Sequence, residues 1–227
     1  MMDQLKQTAG EAAAKFVHDG QRIGLGTGST VRYFLEALRQ RMLMGKLSDI
    51  AGVPTSKRTE KAALSLGIPL TTLEAEQNLD LTVDGADEVD PHLNLIKGLG
   101  GALLREKIVA DASQCLIVII DSEKLVPQLG QRCPVPVEIL PFGWKTTQEK
   151  VKALGGKPML RMDNASPYRT DQDNYILDCT FGAIKDAEKL AQQLDSIPGV
   201  LGHGLFLDMA DQVIVGTPEG AEVHTRL

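Results

Sequence analysis

The chain has 227 residues, 43% of them apolar and 24% charged, with a net charge of -6. That length buries a real core, in one large domain or two small ones. The acidic balance, with no basic stretch, excludes nucleic acid as a partner, because such a surface gains nothing from counterion release. No apolar run is long enough to span a membrane, and residues 1–17 read as an amphipathic helix rather than a signal peptide. Cys115, Cys133 and Cys179 lack the short spacings of zinc or redox motifs, which points to a reducing, cytoplasmic setting.

In chain order, residues 22–25 read as a strand running into Gly26-Thr27-Gly28-Ser29-Thr30. A helix follows with Val31, Phe34, Leu35 and Leu38 on one face. Residues 50–53 read as a short strand and 56–66 as a helix ended by Gly67. Residues 68–73 and 79–83 are further strand candidates, 101–112 a helix and 115–120 a fully apolar strand. This alternation predicts a mostly parallel, Rossmann-like α/β sheet covered on both faces.

From about residue 131 the expected order becomes strand, helix, strand, strand, helix, strand. Its helices fall at 146–154 and 184–194, and its strands include 159–162 and 175–180. That order is the ferredoxin-like α+β unit. Residues 163–173, dense in Asp, Asn, Ser and Pro, read as a turn, and 212–216 as a strand able to return to the first sheet. The expected organisation is a Rossmann-like domain of residues 1–130 and 206–227, with a smaller ferredoxin-like domain at 131–205.

Three clusters are equipped for chemistry. The first is Gly24-Leu25-Gly26-Thr27-Gly28-Ser29-Thr30, where glycines, a helix start and hydroxyls suit an anion. A dinucleotide fits poorly, because Ser29 stands where the last glycine of that fingerprint belongs and Thr55-Ser56-Lys57-Arg58 offers no acidic ribose ligand. The plain alternative is a glycine turn with a helix cap; Thr55, Ser56 and Lys57 at a second strand end favour a phosphate. The second cluster is Val83-Asp84-Gly85-Ala86-Asp87-Glu88, carboxylates at the carboxyl end of a strand, where open α/β sheets bind ligands. Alone, it also reads as an Asp-Gly turn with Asp87 as a cap.

The third runs from Ile96-Lys97-Gly98-Leu99-Gly100-Gly101-Ala102 to Arg105-Glu106-Lys107. Glu106 has Ala102, Val109 and Ala110 as helical neighbours, opposite Leu104 and Ile108. The helix is apolar nearly all round and is expected to be buried, so Glu106 needs a partner or a shifted pKa, with Lys97 as the candidate partner. The histidines are scattered and form no metal cluster: His203 reads as a turn residue, and His18, His92 and His224 are given no role. What remains is acid–base chemistry on a phosphorylated small molecule.

These ordered motifs resemble the ribose-5-phosphate isomerase A family over essentially the whole chain, up to Val213-Ile214-Val215-Gly216-Thr217-Pro218-Glu219-Gly220. The resemblance implies an aldose–ketose isomerase acting on a sugar phosphate, without metal or redox cofactor. Glu106 corresponds to the base, Asp84 and Lys97 to the groups of ring opening and charge stabilisation, and Asp87 to a further carboxylate. Gly26, Thr27, Gly28, Ser29 and Thr30, with Thr55, Ser56 and Lys57, fall to phosphate or substrate binding. Gly85, Ala86, Gly98, Leu99 and Gly100 lie in the same substrate-binding stretches, and Lys124 matches a substrate-contacting lysine. Leu99 departs from the family, which commonly has glycine there. A homodimer is expected, with the Pro-rich residues 133–141 as a dimerisation element. Of the alternatives, a sugar-phosphate sensor lacks room for a DNA-binding module before the first strand, and a CoA transferase lacks a CoA site.

Overall fold

The structure, a computed structural model, describes residues 2–226. Helix α1 (Met2–Ala14) precedes strand β1 (Arg22–Leu25), helix α2 (Ser29–Leu43), strand β2 (Ala51–Pro54) and helix α3 (Lys57–Ser65). Strands β3 (Leu81–Gly85), β4 (Glu88–Val89) and β5 (Leu95–Ile96) lead to helix α4 (Leu103–Asp111) and strand β6 (Leu116–Asp121). Strand β7 (Val135–Ile139), helix α5 (Trp144–Lys152) and strand β8 (Lys157–Leu160) follow. Next come β9 (Met162–Asp163), β10 (Ser166–Pro167), β11 (Tyr175–Thr180), helix α6 (Ala187–Asp195) and β12 (Val200–His203). Strands β13 (Leu205–Phe206), β14 (Gln212–Thr217) and β15 (Gly220–Thr225) complete the order.

The chain divides into two units. The first comprises Met1–Ala86, Arg105–Lys124 and Met209–Leu227; the second comprises Asp87–Leu104 and Leu125–Asp208. Residues 87–104 thus pack with the second unit, because β4 and β5 join β13 in a three-stranded antiparallel sheet.

In the first unit, the described residues form a six-stranded sheet of order β15-β14-β6-β3-β1-β2. Every pairing is parallel except the edge pair β14–β15. Side chains alternate across a strand, so Ile23, Leu25, Val83, Ile117 and Ile119 share a core with Ala9 and Ala13 of α1 and Phe34 and Leu38 of α2. From α4, Val109 packs with Val53 and Leu79, and Ser113 Oγ just beyond it lies 2.6 Å from Thr82 Oγ1 of β3. With both faces covered, Leu116–Asp121 is buried throughout, which explains its unbroken apolar run.

Helix boundaries follow local chemistry. Ser56 caps α3, its side chain accepting from Thr59 N at 3.0 Å, and Gly67 at φ 69° follows its end. Residues 68–73 form no strand: only Leu70 bridges Gly52, since Pro69 has no N–H and offers only its carbonyl, taken by Gly52 N at 2.9 Å. Helix α4 begins at Leu103 and is not buried all round, with Ile108 51% exposed.

The second unit contains an antiparallel sheet of order β12-β7-β11-β8, the ferredoxin-like arrangement. Val135, Val137, Ile139, Leu177 and Cys179 pack with Val151 of α5 and with Leu190 and Leu194 of α6. Strand β7 is internal to this sheet and wholly buried. Residues 163–173 are more than a turn: β9 and β10 make a small hairpin that turns through Asn164 at φ 53°, and Asp173 at φ 64° takes a left-handed position in a separate turn after Thr170. His203 is no turn residue. It ends β12 at 3% exposure, with Nε2 3.2 Å from Asp195 Oδ1 and Nδ1 accepting from Leu205 N. No helix of the described residues is long and apolar enough to cross a membrane.

Glu88 is fully buried and acts as an anchor within the second unit. Its Oε1 accepts from Arg132 N at 2.6 Å and Cys133 N at 2.7 Å, and its Oε2 accepts from Gly130 N at 2.6 Å. In Glu88→Gln one terminal atom becomes a donor facing an amide donor. The substitution is expected to cost about 2–4 kcal/mol, read as a lowered urea midpoint; an unchanged midpoint would show that the three amides do not depend on the charge.

Candidate active site

In the first unit, the loops after β1, β2 and β3 meet at the carboxyl ends of adjacent parallel strands. Gly26 N donates to Val83 O and Thr55 N to Leu25 O, each at 2.9 Å, so the ladder extends into these loops. Asp84 is 1% exposed, and its Oδ1 accepts from Thr27 N at 2.9 Å and Gly85 N at 2.7 Å. A side chain on Gly26 would overlap the Asp84 carboxylate, so a close approach dictates glycine there. Gly28 precedes α2 without a side-chain cap, and Gly28 and Ser29 are exposed. The first amides of a fifteen-residue helix are thereby presented by backbone alone, as an anion cradle requires.

Thr27, Thr55, Ser56 and Thr59 are all buried. Thr59 Oγ1 donates to Gly26 O at 2.8 Å, Ser56 Oγ to Thr59 Oγ1 at 3.0 Å and Thr27 Oγ1 to Ser56 Oγ at 2.7 Å. Thr55 then serves as donor to Thr27 over 2.7 Å, since one hydroxyl has one proton to give. The hydroxyls expected to meet ligand are thus committed to one another. They tie the β1 and β2 loops together, with Thr30 buried at the start of α2 and Lys57 exposed at the start of α3. Thr59 was missed by the sequence reading, although Ser56 with a polar residue three positions on is a capping signal.

Glu106 lies in the first turn of α4 and is 4% exposed, with Val109 and Ala110, its i+3 and i+4 neighbours, also buried. Ionised carboxylates are costly to bury, so Asp84 and Glu106 are the two groups of this region whose placement calls for a chemical reason. Lys124 ends the 3₁₀ turn Ser122–Lys124 after β6 and is half-buried, as is Ala86 after β3.

In the second unit, Asp87 N donates to Ile96 O at 2.8 Å, and Asp87 Oδ2 accepts from Leu99 N at 3.0 Å. Lys97 is 2% exposed; its N–H donates to Gly204 O at 2.9 Å and its Nζ stands 5.4 Å from the centre of the Phe206 ring. Gly98 at φ 103° and Gly101 at φ 81° require glycine, and a side chain on Gly101 would collide with Tyr168 Oη. Leu99 and Gly100 do not share that conformation, and the Leu99 side chain is 41% exposed. Leucine at 99 is therefore accommodated without strain and without filling the space behind the loop. Glu106 belongs to the first unit and Lys97 to the second.

Thiol chemistry finds no support. Burial pushes the Cys179 thiol well up, and burial with the negative charge of Asp211 pushes Cys115 up, which suppresses the reactive thiolate. Among the described residues no group of three or more His, Cys, Asp or Glu is placed to hold a metal ion.

The family described as Ribose 5-phosphate isomerase A (phosphoriboisomerase A) matches residues 51–220. A curated relative named ribose-5-phosphate isomerase A, from Synechococcus sp. (strain JA-3-3Ab), is 54% identical over 97% of this chain and 96% of its own length. The chain belongs to this family. A relative of the same name from Thermococcus kodakarensis is 44% identical over 97% of each chain. Among solved structures, a D-ribose-5-phosphate isomerase in complex with phospho-erythronic acid has a TM-score of 0.97 at 43% identity, covering 100% of both chains. The ribose 5-phosphate isomerase of Plasmodium falciparum has a TM-score of 0.95 at 41% identity, covering 99% of both.

The loop geometry separates required from replaceable positions. Gly26→Ala is expected to lower stability by about 1–3 kcal/mol through overlap with Asp84. Leu99→Gly, at an exposed position of ordinary φ, is expected to cost less than about 1 kcal/mol. Thermal melts of the two variants check this, and equal losses would contradict the geometry.

Proposed function

We propose that the chain interconverts D-ribose 5-phosphate and D-ribulose 5-phosphate through an enediolate, by acid–base catalysis that requires no metal ion. The observation that carries this reading is the Glu106 carboxylate, 4% exposed in the unit that also holds the Gly26–Ser29 cradle. A carboxylate kept from water is a stronger base toward a carbon acid than one that is fully solvated.

The roles are those that the family resemblance implies. The amides at the start of α2 hold the phosphate, with Lys57 and Lys124 as cationic contacts. Asp84 passes the proton that opens the sugar ring, taking it from the C1 hydroxyl while the ring oxygen is protonated. Glu106 then removes the C2 proton, the electron pair forms the C1–C2 double bond and the C1 carbonyl oxygen becomes an oxyanion. Lys97 and the Gly100 amide of the glycine loop stabilise that charge, and Asp87 orders the loop through Leu99 N. Glu106 returns the proton to C1 while the proton of the C2 hydroxyl passes to the C1 oxyanion, which leaves the C2 carbonyl and the C1 hydroxyl of the ketose. The acidic surface favours no nucleic acid, and a cytoplasmic setting follows from the family's sugar-phosphate chemistry.

Assembly as a homodimer is part of the same proposal. Phe142 at 88% and Met159 at 72% exposure, both in the second unit, are side chains that association would cover. Sedimentation of the purified chain at micromolar concentration is expected to give twice the monomer mass, and a monomer would refute the dimer alone.

Glu106→Gln keeps the shape of the side chain and removes the base. After EDTA treatment the wild-type chain is expected to form ribulose 5-phosphate rapidly from ribose 5-phosphate. The variant should fold normally by circular dichroism and turn over about 10²–10⁴-fold more slowly. A variant of near-wild-type rate would sink the assignment, and a wild-type chain that binds ribose 5-phosphate without converting it would point to a sensor.

A further inference from the structure

The ferredoxin-like unit contributes a cation to the glycine loop that no sequence motif announced. Arg161 follows β8, and its side chain is 13% exposed. Its Nε donates to Asp178 Oδ2 at 2.9 Å and its Nη2 to Asp178 Oδ1 at 2.5 Å. Its Nη1 donates to the carbonyls of Gly98 and Leu99, each at 3.1 Å. Tyr168, whose ring centre is 5.7 Å from the guanidinium carbon, presents its hydroxyl at the position a Gly101 side chain would take.

We infer that Arg161 is a positioning residue for the isomerisation, fixing the two peptide planes after Gly98 so that the Leu99 N–H stays on Asp87 and the Gly100 N–H is preorganised for the enediolate oxygen. In a trans peptide the N–H points opposite to the C=O. Holding the Gly98 carbonyl turns the Leu99 N–H away from Arg161, and that N–H is the one donated to Asp87. Holding the Leu99 carbonyl turns the Gly100 N–H away in the same manner. Gly101 N also donates to Gly98 O at 3.0 Å, so that carbonyl is gripped from two sides. A full positive charge on the carbonyl ends polarises both peptides, raising the partial positive charge at their N–H ends. Asp178 holds the guanidinium in one rotamer, and all of these residues lie within the second unit.

The arrangement exceeds what loop stability alone asks for. The loop already has Asp87 on Leu99 N, the Gly101–Gly98 turn and Lys97 N on Gly204 O. A salt-bridged arginine spent on two further carbonyls of a half-exposed loop is explained by the orientation it imposes. The inference rests on the reading that the 97–101 loop stabilises the enediolate.

The test compares Arg161→Ala, Asp178→Asn and Lys97→Met with wild type for kcat, KM and melting temperature. Arg161→Ala is expected to lose about 10- to 100-fold in kcat with KM changed less than about threefold, since a transition-state contact is lost rather than ground-state binding. Guanidinium chloride at tens of millimolar should restore part of that kcat, and sodium chloride at equal ionic strength should not. Asp178→Asn, which keeps the arginine but loosens it, should lower kcat in the same direction and less. A wild-type kcat in Arg161→Ala would overturn the inference. So would a loss that follows the melting temperature and ignores guanidinium. If Arg161→Ala fails to fold, an unchanged kcat in Asp178→Asn overturns it instead. Lys97→Met tells the two readings apart: wild-type turnover there removes the loop's role, whereas loss there with Arg161→Ala unaffected removes only the role of Arg161.

Discussion

A carboxylate taken out of water must be met by donors, and the run Val83–Glu88 places three carboxylates that gather backbone amides. Asp84 takes Thr27 N and Gly85 N, Asp87 takes Leu99 N, and Glu88 takes Gly130 N, Arg132 N and Cys133 N. Each thereby sets the course of a different loop. Amide-to-carboxylate bonds are charge-assisted, roughly twice as strong as neutral ones, so loops that could drift are held in one conformation. The motif that reads as an Asp-Gly turn with a cap is the organiser of the loops around it.

The phosphate-type loop is stiffened by a second device. Hydroxyls of Thr55, Thr27, Ser56 and Thr59 pass hydrogen bonds in one direction to the Gly26 carbonyl. Such chains strengthen one another in a dry setting. With Asp84 on the Thr27 amide and the hydroxyl chain on the Gly26 carbonyl, both ends of one peptide group's surroundings are fixed. Small polar side chains clustered beside a glycine loop can serve its backbone: here they hold the Gly26 carbonyl in place.

Elements with a strong local signal were legible in the sequence. The apolar run at β6 and the cap-to-glycine span of α3 are of this kind, as are the strand–helix alternation and the ferredoxin-like order, and the Glu106 face turned inward as its small neighbours implied. Errors arose where a tertiary constraint overrode local texture. Residues 68–73 look like a strand, but Pro69 cannot donate to a ladder. His203 sits between glycines that suggest a turn, yet the β12–β7 ladder runs through it. Asp and Asn tolerate left-handed backbone, so 163–173 hid a hairpin. Arg161 carried no signal, because its partners at Gly98 and Leu99 are more than sixty positions away and its meaning lies in where its donors point.

Arginine rather than lysine at 161 follows from donor count. Two edges of one planar group serve Asp178 and the two carbonyls together, using four of the five N–H donors that a guanidinium offers. A lysine ammonium has three donors about one point and cannot span both partners in a fixed plane. The same logic bears on Leu99. Once its carbonyl is held by Arg161 and its N–H by Asp87, its backbone is fixed from both sides, and the side chain is left to solvent. The freedom of glycine is then unnecessary at 99, while Gly98 and Gly101, at positive φ on either side, still require it. The external clamp relieves one position of the loop from the demand for glycine, and this gives a physical reason why the departure at Leu99 leaves the loop's geometry intact.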